Sequence, residues 1–375
     1  MKVSIVIPVY NKAAYICDCL ESILQQDFED FEILVVDDGS TDDSGSICDE
    51  KAAQNSRIRV IHTENGGVTA ARRKGVEQAV GEYIMFVDAD DRLLPDAITK
   101  LYNAITESGA GEVIGTYKDQ FGNCYDSGWR GFVPCEPLIR NLLSIKNSFC
   151  VLWGIMFRKE LLEGCLDAPR EIVEREDSLM QIKCLIKNPK VFFIADSVYL
   201  YDVDVPNNRI ENLEWIRIYD CELCKTLQPQ WELYKSAFVG HQIKVYEKFI
   251  DKRQFNVLND YYRPLRKRLT SDIPLMDRLA IMLPPRIGYY PIHYYKKLLK
   301  LKQSIANKQV AIPSQKEYGQ ESGDDPEWFA PLDIGIFEDK GDGDGDDIQP
   351  MRTHDIDFVD AKTKAQVQNH IKGKA

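Results

Sequence analysis

Three carboxylates stand within four positions at the end of an apolar run: Asp88, Asp90 and Asp91 in FVDADD, residues 86–91. On an extended segment, residues i and i+2 point the same way, so Asp88 and Asp90 present their side chains together. Two adjacent carboxylates repel, and one must take up a proton unless a cation intervenes. A divalent ion removes the conflict. Mg2+ takes one or two protein carboxylates and completes its shell with water and phosphate oxygens. A D-x-D pair after a strand therefore suits a metal–diphosphate complex. The competing reading is helix capping by Asp91, with its neighbours solvated.

Other segments carry chemistry of the same kind. Asp37-Asp38-Gly39 ends a second apolar run. An Asp there can accept from a base N–H or a ribose hydroxyl, and Gly39 lets the backbone turn close by; a plain Asp-Gly turn is the alternative. Arg72 lies one turn into the helix expected after NGG, where it can face a phosphate or simply solvent. Glu176 and Asp177 open another expected helix. They supply either first-turn charge that suits the helix dipole or a base held at a helix start. Cys221 and Cys224 form a lone CxxC in a helical pattern and read as two thiols on a helix face.

The elements that must position these groups alternate. VSIVIPV (3–9), EILVV (32–36), IRVIH (58–62) and EYIMFV (82–87) read as strands. Helical spacing falls between them, over 13–26, after DDGSTDDS with Ser40, Thr41 and Asp42 as cap candidates, and over 68–79. This predicts an α/β fold, a mostly parallel twisted sheet with helices on both faces. Ligands of such sheets bind outside the carboxyl ends of the strands. Tyr10-Asn11, Asp37-Asp38, Glu64-Asn65 and Asp88 to Asp91 all fall at those ends. Beyond residue 110, GEVIGTYKD and 191–201 read as strands, 148–162 as a strand running into a helix, and 171–187 as an acidic start to an amphipathic helix. Residues 208–268 are helical in pattern.

The 375 residues carry a net charge of -12, which excludes nucleic-acid binding by bulk electrostatics. MKVSIVIPVYN lacks the features of a signal peptide, and no apolar run is long enough to span a bilayer. The expected setting is cytoplasmic, with the ten cysteines reduced. Residues 251–300 reverse the charge, with eleven Lys or Arg against four Asp, a net of +7. Tyr clusters and Leu pairs interleave there. The segment fits either an anionic membrane surface, making the protein peripheral on it, or a solvated basic helix. GDGDGDD at 341–347 resembles the opening of a calcium loop but has Asp347 where Gly is required, so 303–375 is expected to be a flexible acidic tail.

VSIVIPVYNKAAYICDCLESILQQDFEDFEILVVDDGSTDDS, NGGVTAARRKG and GEYIMFVDADDRLLPDAI, in that order, resemble the family 2 glycosyltransferases of bacterial cell-surface polysaccharide synthesis, with their glycosyltransferase A fold. The resemblance is dense over 1–105 and continues through VLWGIMFRKELL, Glu176-Asp177 and VYLY to about 205. It implies a catalytic domain over 1–205 with a nucleotide-sugar half (1–105) and an acceptor half (106–205), then a helical basic region (206–302) and the tail. Matched by position, it assigns Pro8, Tyr10 and Asn11 to the nucleotide. Asp38 then holds the uracil or ribose, with Asp37 beside it, and Arg72 is the arginine of the N-G-G segment. Asp88 and Asp90 are the D-x-D that binds Mg2+ or Mn2+, Asp90 the more directly. Asp177 is the general base, with Glu176 its neighbour. The implied partners are a nucleotide-sugar donor, UDP-linked by preference, and a glycan or lipid-linked saccharide acceptor, joined with inversion. A non-catalytic sugar-nucleotide-binding or assembly protein would keep Asp38 and Asp90 without a working base. A dinucleotide dehydrogenase would need G-x-G-x-x-G after the first strand, and a pyrophosphorylase a Gly-rich basic loop; neither is present. Two departures fall on the acceptor side: Arg73 stands where the family usually has Asn, and YLYDVDVPNN offers Asp202 where Arg is common.

Overall fold

The run VSIVIPV forms β1 (Val3–Val9) at the middle of the sheet, and burial on both faces explains why it is apolar throughout rather than alternating. A computed structural model of the chain describes residues 1–145, 149–203, 213–257, 262–290, 292–294 and 297. After β1 come α1 (Ile16–Leu24), β2 (Phe31–Asp37), α2 (Ser44–Gln54), β3 (Ile58–His62), α3 (Val68–Gln78) and β4 (Tyr83–Phe86). Then follow β5 (Arg92–Leu93), α4 (Ala97–Ser108), β6 (Glu112–Asp119), β7 (Cys124–Tyr125), β8 (Gly131–Val133), α5 (Cys135–Leu143) and β9 (Ile155–Arg158). The chain continues through α6 (Glu176–Ile186), β10 (Val191–Tyr201), α7 (Leu213–Leu227), α8 (Trp231–Asp251) and α9 (Leu275–Met282).

The strand order is β3-β2-β1-β4-β9-β6-β10-β5, with β7 on β6 and β8 on β10. β3, β2, β1, β4, β6 and β10 share one direction, and β9 runs against them between β4 and β6. The mostly parallel sheet is as expected; the antiparallel insertion of β9 is not legible in IMFR, which carries no mark of direction. α3 begins at Val68 as expected, whereas α1 is shorter than its apolar periodicity suggests, because turn residues 13–15 precede it. α2 starts at Ser44, past all three cap candidates, and Asp43 stands at its cap position.

Two cores flank the sheet. On one side Ile16, Leu20 and Ile23 of α1 and Ile98 and Leu101 of α4 share one core with the sheet, α4 lying over β6 and β10. Each such side chain contributes about 1.5–3 kcal/mol by leaving water. On the other side α5 and α6 share a core with α7 and α8, through Leu138, Leu179, Trp215, Tyr219 and Phe238. The first helices after the sheet are thus welded to it. A third cluster joins Ile243, Tyr246 and Ile250 of α8 to Tyr262, Leu265 and Ile281. Residues 204–212, which hold the expected boundary, and the acidic tail lie outside the described residues. Among those described, no helix is long and apolar enough to cross a membrane.

Candidate active site

Asn11 leaves β1 in the left-handed region (φ 53), which Asn tolerates better than most residues. Its Oδ1 accepts the Thr41 N–H at 2.8 Å, and its own N–H donates to Ser40 Oγ at 3.1 Å. The loop after β1 is thereby latched to the loop after β2. Beside it Tyr10 is exposed and Pro8 is partly buried. Asp37 and Asp38 diverge. Asp37 turns toward β3 and α2, accepting the Ser40 N–H at 3.0 Å and lying 2.9 Å from His62 Nδ1. Burial opposes ionisation of Asp37, but those hydrogen bonds outweigh it and hold its pKa below the ordinary value. Asp38 turns the other way and accepts the Gly66 and Gly67 N–H groups, each at 2.8 Å. It fixes the N-G-G loop, and its oxygens keep acceptor capacity for a further donor.

The acids of the D-x-D turn each meet a different partner. Asp88 Oδ1 accepts from Arg72 Nη2 at 2.9 Å. Asp90 Oδ2 lies 2.6 Å from Lys12 Nζ. Asp91 is buried, accepting the Tyr199 hydroxyl at 2.9 Å and the Asp202 N–H at 2.8 Å. Burial, with Asp88 and Asp90 nearby, pushes the Asp91 carboxyl up to about 8. Asp91 caps no helix, since α4 begins only at Ala97. It ties the turn to β10 instead, and the Asp88 N–H donates to the same Tyr199 oxygen at 3.0 Å.

Arg72 is 4% exposed, and its Nε and Nη1 are buried without a hydrogen-bond partner among the described residues. Burial works against its charge, yet Asp88, then Glu176 and Asp177, raise its pKa. One arginine therefore stands in the field of both acidic motifs. Those motifs are 86 residues apart in sequence (Asp90 to Glu176) and meet across the sheet's carboxyl edge. α6 starts at Glu176 because Arg175 adopts the left-handed region (φ 65) just before it. Glu176 is buried, and Asp177 Oδ1 accepts the Ser178 N–H at 2.7 Å. The segment leading into α6 reaches back to the N-G-G loop and α3. Arg170 donates to Asn65 Oδ1 at 2.8 Å, and Asp167 pairs with Arg73 at 2.8 Å. The unusual Arg73 thus has a structural partner.

Sequence reasoning missed Lys12 and Tyr199. Lys12 directly follows Tyr10-Asn11 at a strand's carboxyl end, and that cation beside an acid-rich edge was the available signal. Tyr199 was visible only as part of VYLY. Among the described residues no set of three His, Cys, Asp or Glu converges to hold a metal ion. Cys221 and Cys224 lie on α7, both partly buried and in no disulfide.

The α/β sheet thus gathers its polar groups at the carboxyl edge, with a Gly-Gly loop and two acidic motifs around Arg72. The model of "Glycosyl transferase family 2" matches residues 4–166. Glycosyltransferase GlyG of Streptococcus pneumoniae serotype 4 is 45% identical over 213 residues, covering 53% of this chain and 70% of GlyG. Glycosyltransferase EpsJ of Bacillus subtilis, itself uncharacterized, is 31% identical over 254 residues, covering 64% of this chain and 70% of EpsJ. The fold is shared with S. aureus TarS 1-349 in complex with UDP-GlcNAc, at a TM-score of 0.55 and 20% identity, over 80% of this chain and 92% of that one. The chain belongs to glycosyl transferase family 2, and it is a glycosyltransferase.

Proposed function

We propose that the protein moves a sugar from a nucleotide-diphosphate donor, UDP-linked by preference, to a hydroxyl of a glycan or lipid-linked saccharide, with inversion. The observation that carries this reading is the buried Arg72, which lies beside Asp88 and within the field of Glu176 and Asp177 while two of its nitrogens lack partners among the described residues. A donor diphosphate offers oxygens to those nitrogens. Asp38 and the loop latched by Asn11 provide the nucleoside end, with Pro8 and Tyr10 lining it. The UDP-GlcNAc held by TarS supports the choice of nucleotide.

Asp90 and Asp88 fit a divalent ion that also takes donor phosphates, since such an ion needs only one or two protein carboxylates. The Lys12 ammonium on Asp90 already marks that carboxylate as a place for positive charge. Mg2+ or Mn2+ bound there supplies Lewis-acid neutralisation of the departing diphosphate. Asp177 takes the proton from the acceptor hydroxyl as general base, and Glu176 beside it holds the helix start against Arg72. A single base calls for a single displacement, and so for inversion.

The test is nucleoside diphosphate release from UDP-, GDP- and dTDP-sugars. Asp177→Asn should bind donor normally and turn over about 10²–10⁴-fold more slowly. Normal turnover in that variant would remove Asp177 from the role.

The same reading places the enzyme on the cytoplasmic face of a membrane. Leu275, Leu279 and Met282 are exposed at helical spacing on α9, and Ile287, Tyr290 and Tyr294 are exposed further along the chain. Exposed Arg286 and Lys297 accompany them. Exposed apolar side chains in a basic segment suit an anionic lipid surface.

A further inference from the structure

Aromatic rings form one contiguous line beside the D-x-D turn. Tyr199 is its buried end and touches that turn through its hydroxyl. Trp153, whose backbone pairs with Phe86 just before the turn, stacks on Tyr199 with centroids 4.7 Å apart and planes at 23°. The same indole stacks on Tyr201 at 5.6 Å and 15°. Tyr117 of β6 meets Trp153 edge-on at 4.8 Å and stacks on Tyr125 at 4.7 Å and 6°. The line ends in solvent, with Tyr201 38% and Tyr125 41% exposed. Core packing accounts for Tyr199. Tyr117 and Trp153 also pack against the cores on one side, which leaves the exposed Tyr201 and Tyr125 at the water end unaccounted for by core packing.

We propose that this line is the acceptor subsite and that it takes a neutral pyranose. The inference rests on the glycosyl-transfer reading above and adds a substrate class to it. A pyranose offers C–H groups on its faces and hydroxyls on its rim. Aromatic faces carry negative π charge and attract the C–H face. Tyrosine hydroxyls and carboxylates serve the rim. Asp119 accepts the Tyr125 hydroxyl at 3.0 Å, Asp202 follows Tyr201 in the chain, and Asp91 holds Tyr199. The Asp119 carboxylate, with Asp202 beside Tyr201, disfavours an acceptor bearing phosphate at the subsite, since like charges repel. Continuity with the donor side comes from Tyr199, which bonds both Asp88 and Asp91 and so places the line against the reacting end of the site.

The experiment is saturation-transfer NMR on the full chain with UDP and Mg2+ present. The probes are methyl β-D-glucopyranoside, methyl β-D-galactopyranoside, N-acetylglucosamine and glycerol 3-phosphate. Wild type should show pyranose signals. Tyr201→Ala and Tyr125→Ala should each weaken apparent affinity by about three- to tenfold. Tyr201→Phe should retain it, and UDP signals should persist in every variant. Pyranose signals undiminished in both alanine variants would overturn the subsite, as would UDP binding without any pyranose signal in wild type. Stronger binding of glycerol 3-phosphate than of the pyranoses would overturn its neutral class. Loss of UDP signals from wild type would instead bring down the glycosyl-transfer reading itself.

Discussion

Lys12 and Asp90 decide how the site behaves before any donor arrives. Their ion pair is partly buried, with side-chain exposures of 27% and 20%, so water screens it incompletely. A divalent ion at Asp90 must displace that ammonium or share the carboxylate with it. Lys12→Met should therefore tighten Mn2+ binding to the ligand-free protein, by up to about fivefold if the pair contributes on the order of 1 kcal/mol. Titration followed by electron paramagnetic resonance measures this directly; unchanged affinity would mean that the lysine does not compete. Much of this scale was legible in the sequence. Asp88, Asp90, Asp38, Arg72, Glu176 and Asp177 each lie where the strand ends and helix starts predicted. Asp37 is the exception in orientation, because adjacent residues diverge at a strand end and His62 draws it toward β3. Partner choice was not legible, since a pairing such as Lys12 with Asp90 exists only once β1 and β4 are neighbours.

Gly75 shows how an element delivers a residue. A Cβ there would lie 2.3 Å from Val6 Cγ1 and 3.3 Å from Val36 Cγ2, so α3 seats against β1 and β2 only because position 75 lacks a side chain. α3 also carries Arg72. Gly75→Ala should cost about 1–3 kcal/mol through overpacking, and should weaken donor binding as the helix lifts. Gly240 in α8 is the matched control, since nothing lies within 4 Å of its added Cβ. Gly240→Ala should be neutral or stabilise by about 0.5–1 kcal/mol. Urea unfolding of the two variants separates the cases; equal stability would contradict the close seating of α3. The strand-and-helix alternation through residue 108 was readable because each strand is a short apolar run and each helix between them carries its own periodicity. From β6 onward the chain leaves and re-enters the sheet, with β9 inserted antiparallel, and local periodicity carries no information about such returns.

At the scale of the whole molecule, the sheet and the helices after it act as one body with two exposed specialities: an acidic, aromatic carboxyl edge and an apolar face on α9. α6, which carries Asp177 at its start, shares one core with α5, α7 and α8. Membrane docking through α9 would hold that edge at a fixed place relative to a lipid-linked acceptor. Flotation with anionic vesicles should recover the wild-type protein and lose it when Leu275, Leu279 and Met282 are replaced by Ser; undiminished flotation would contradict the assignment. Basic charge in this region was evident from sequence, but the exposure of its apolar residues was not, because periodicity gives a stripe without saying which way it faces. The central claim is that the D-x-D carboxylates join a divalent ion to a nucleotide diphosphate. Calorimetry of UDP binding with and without Mn2+, in wild type and in Asp90→Ala, tests it most directly. Metal should strengthen UDP binding to wild type and leave the variant unaffected, whereas an equal response in both, or none in wild type, would contradict the claim.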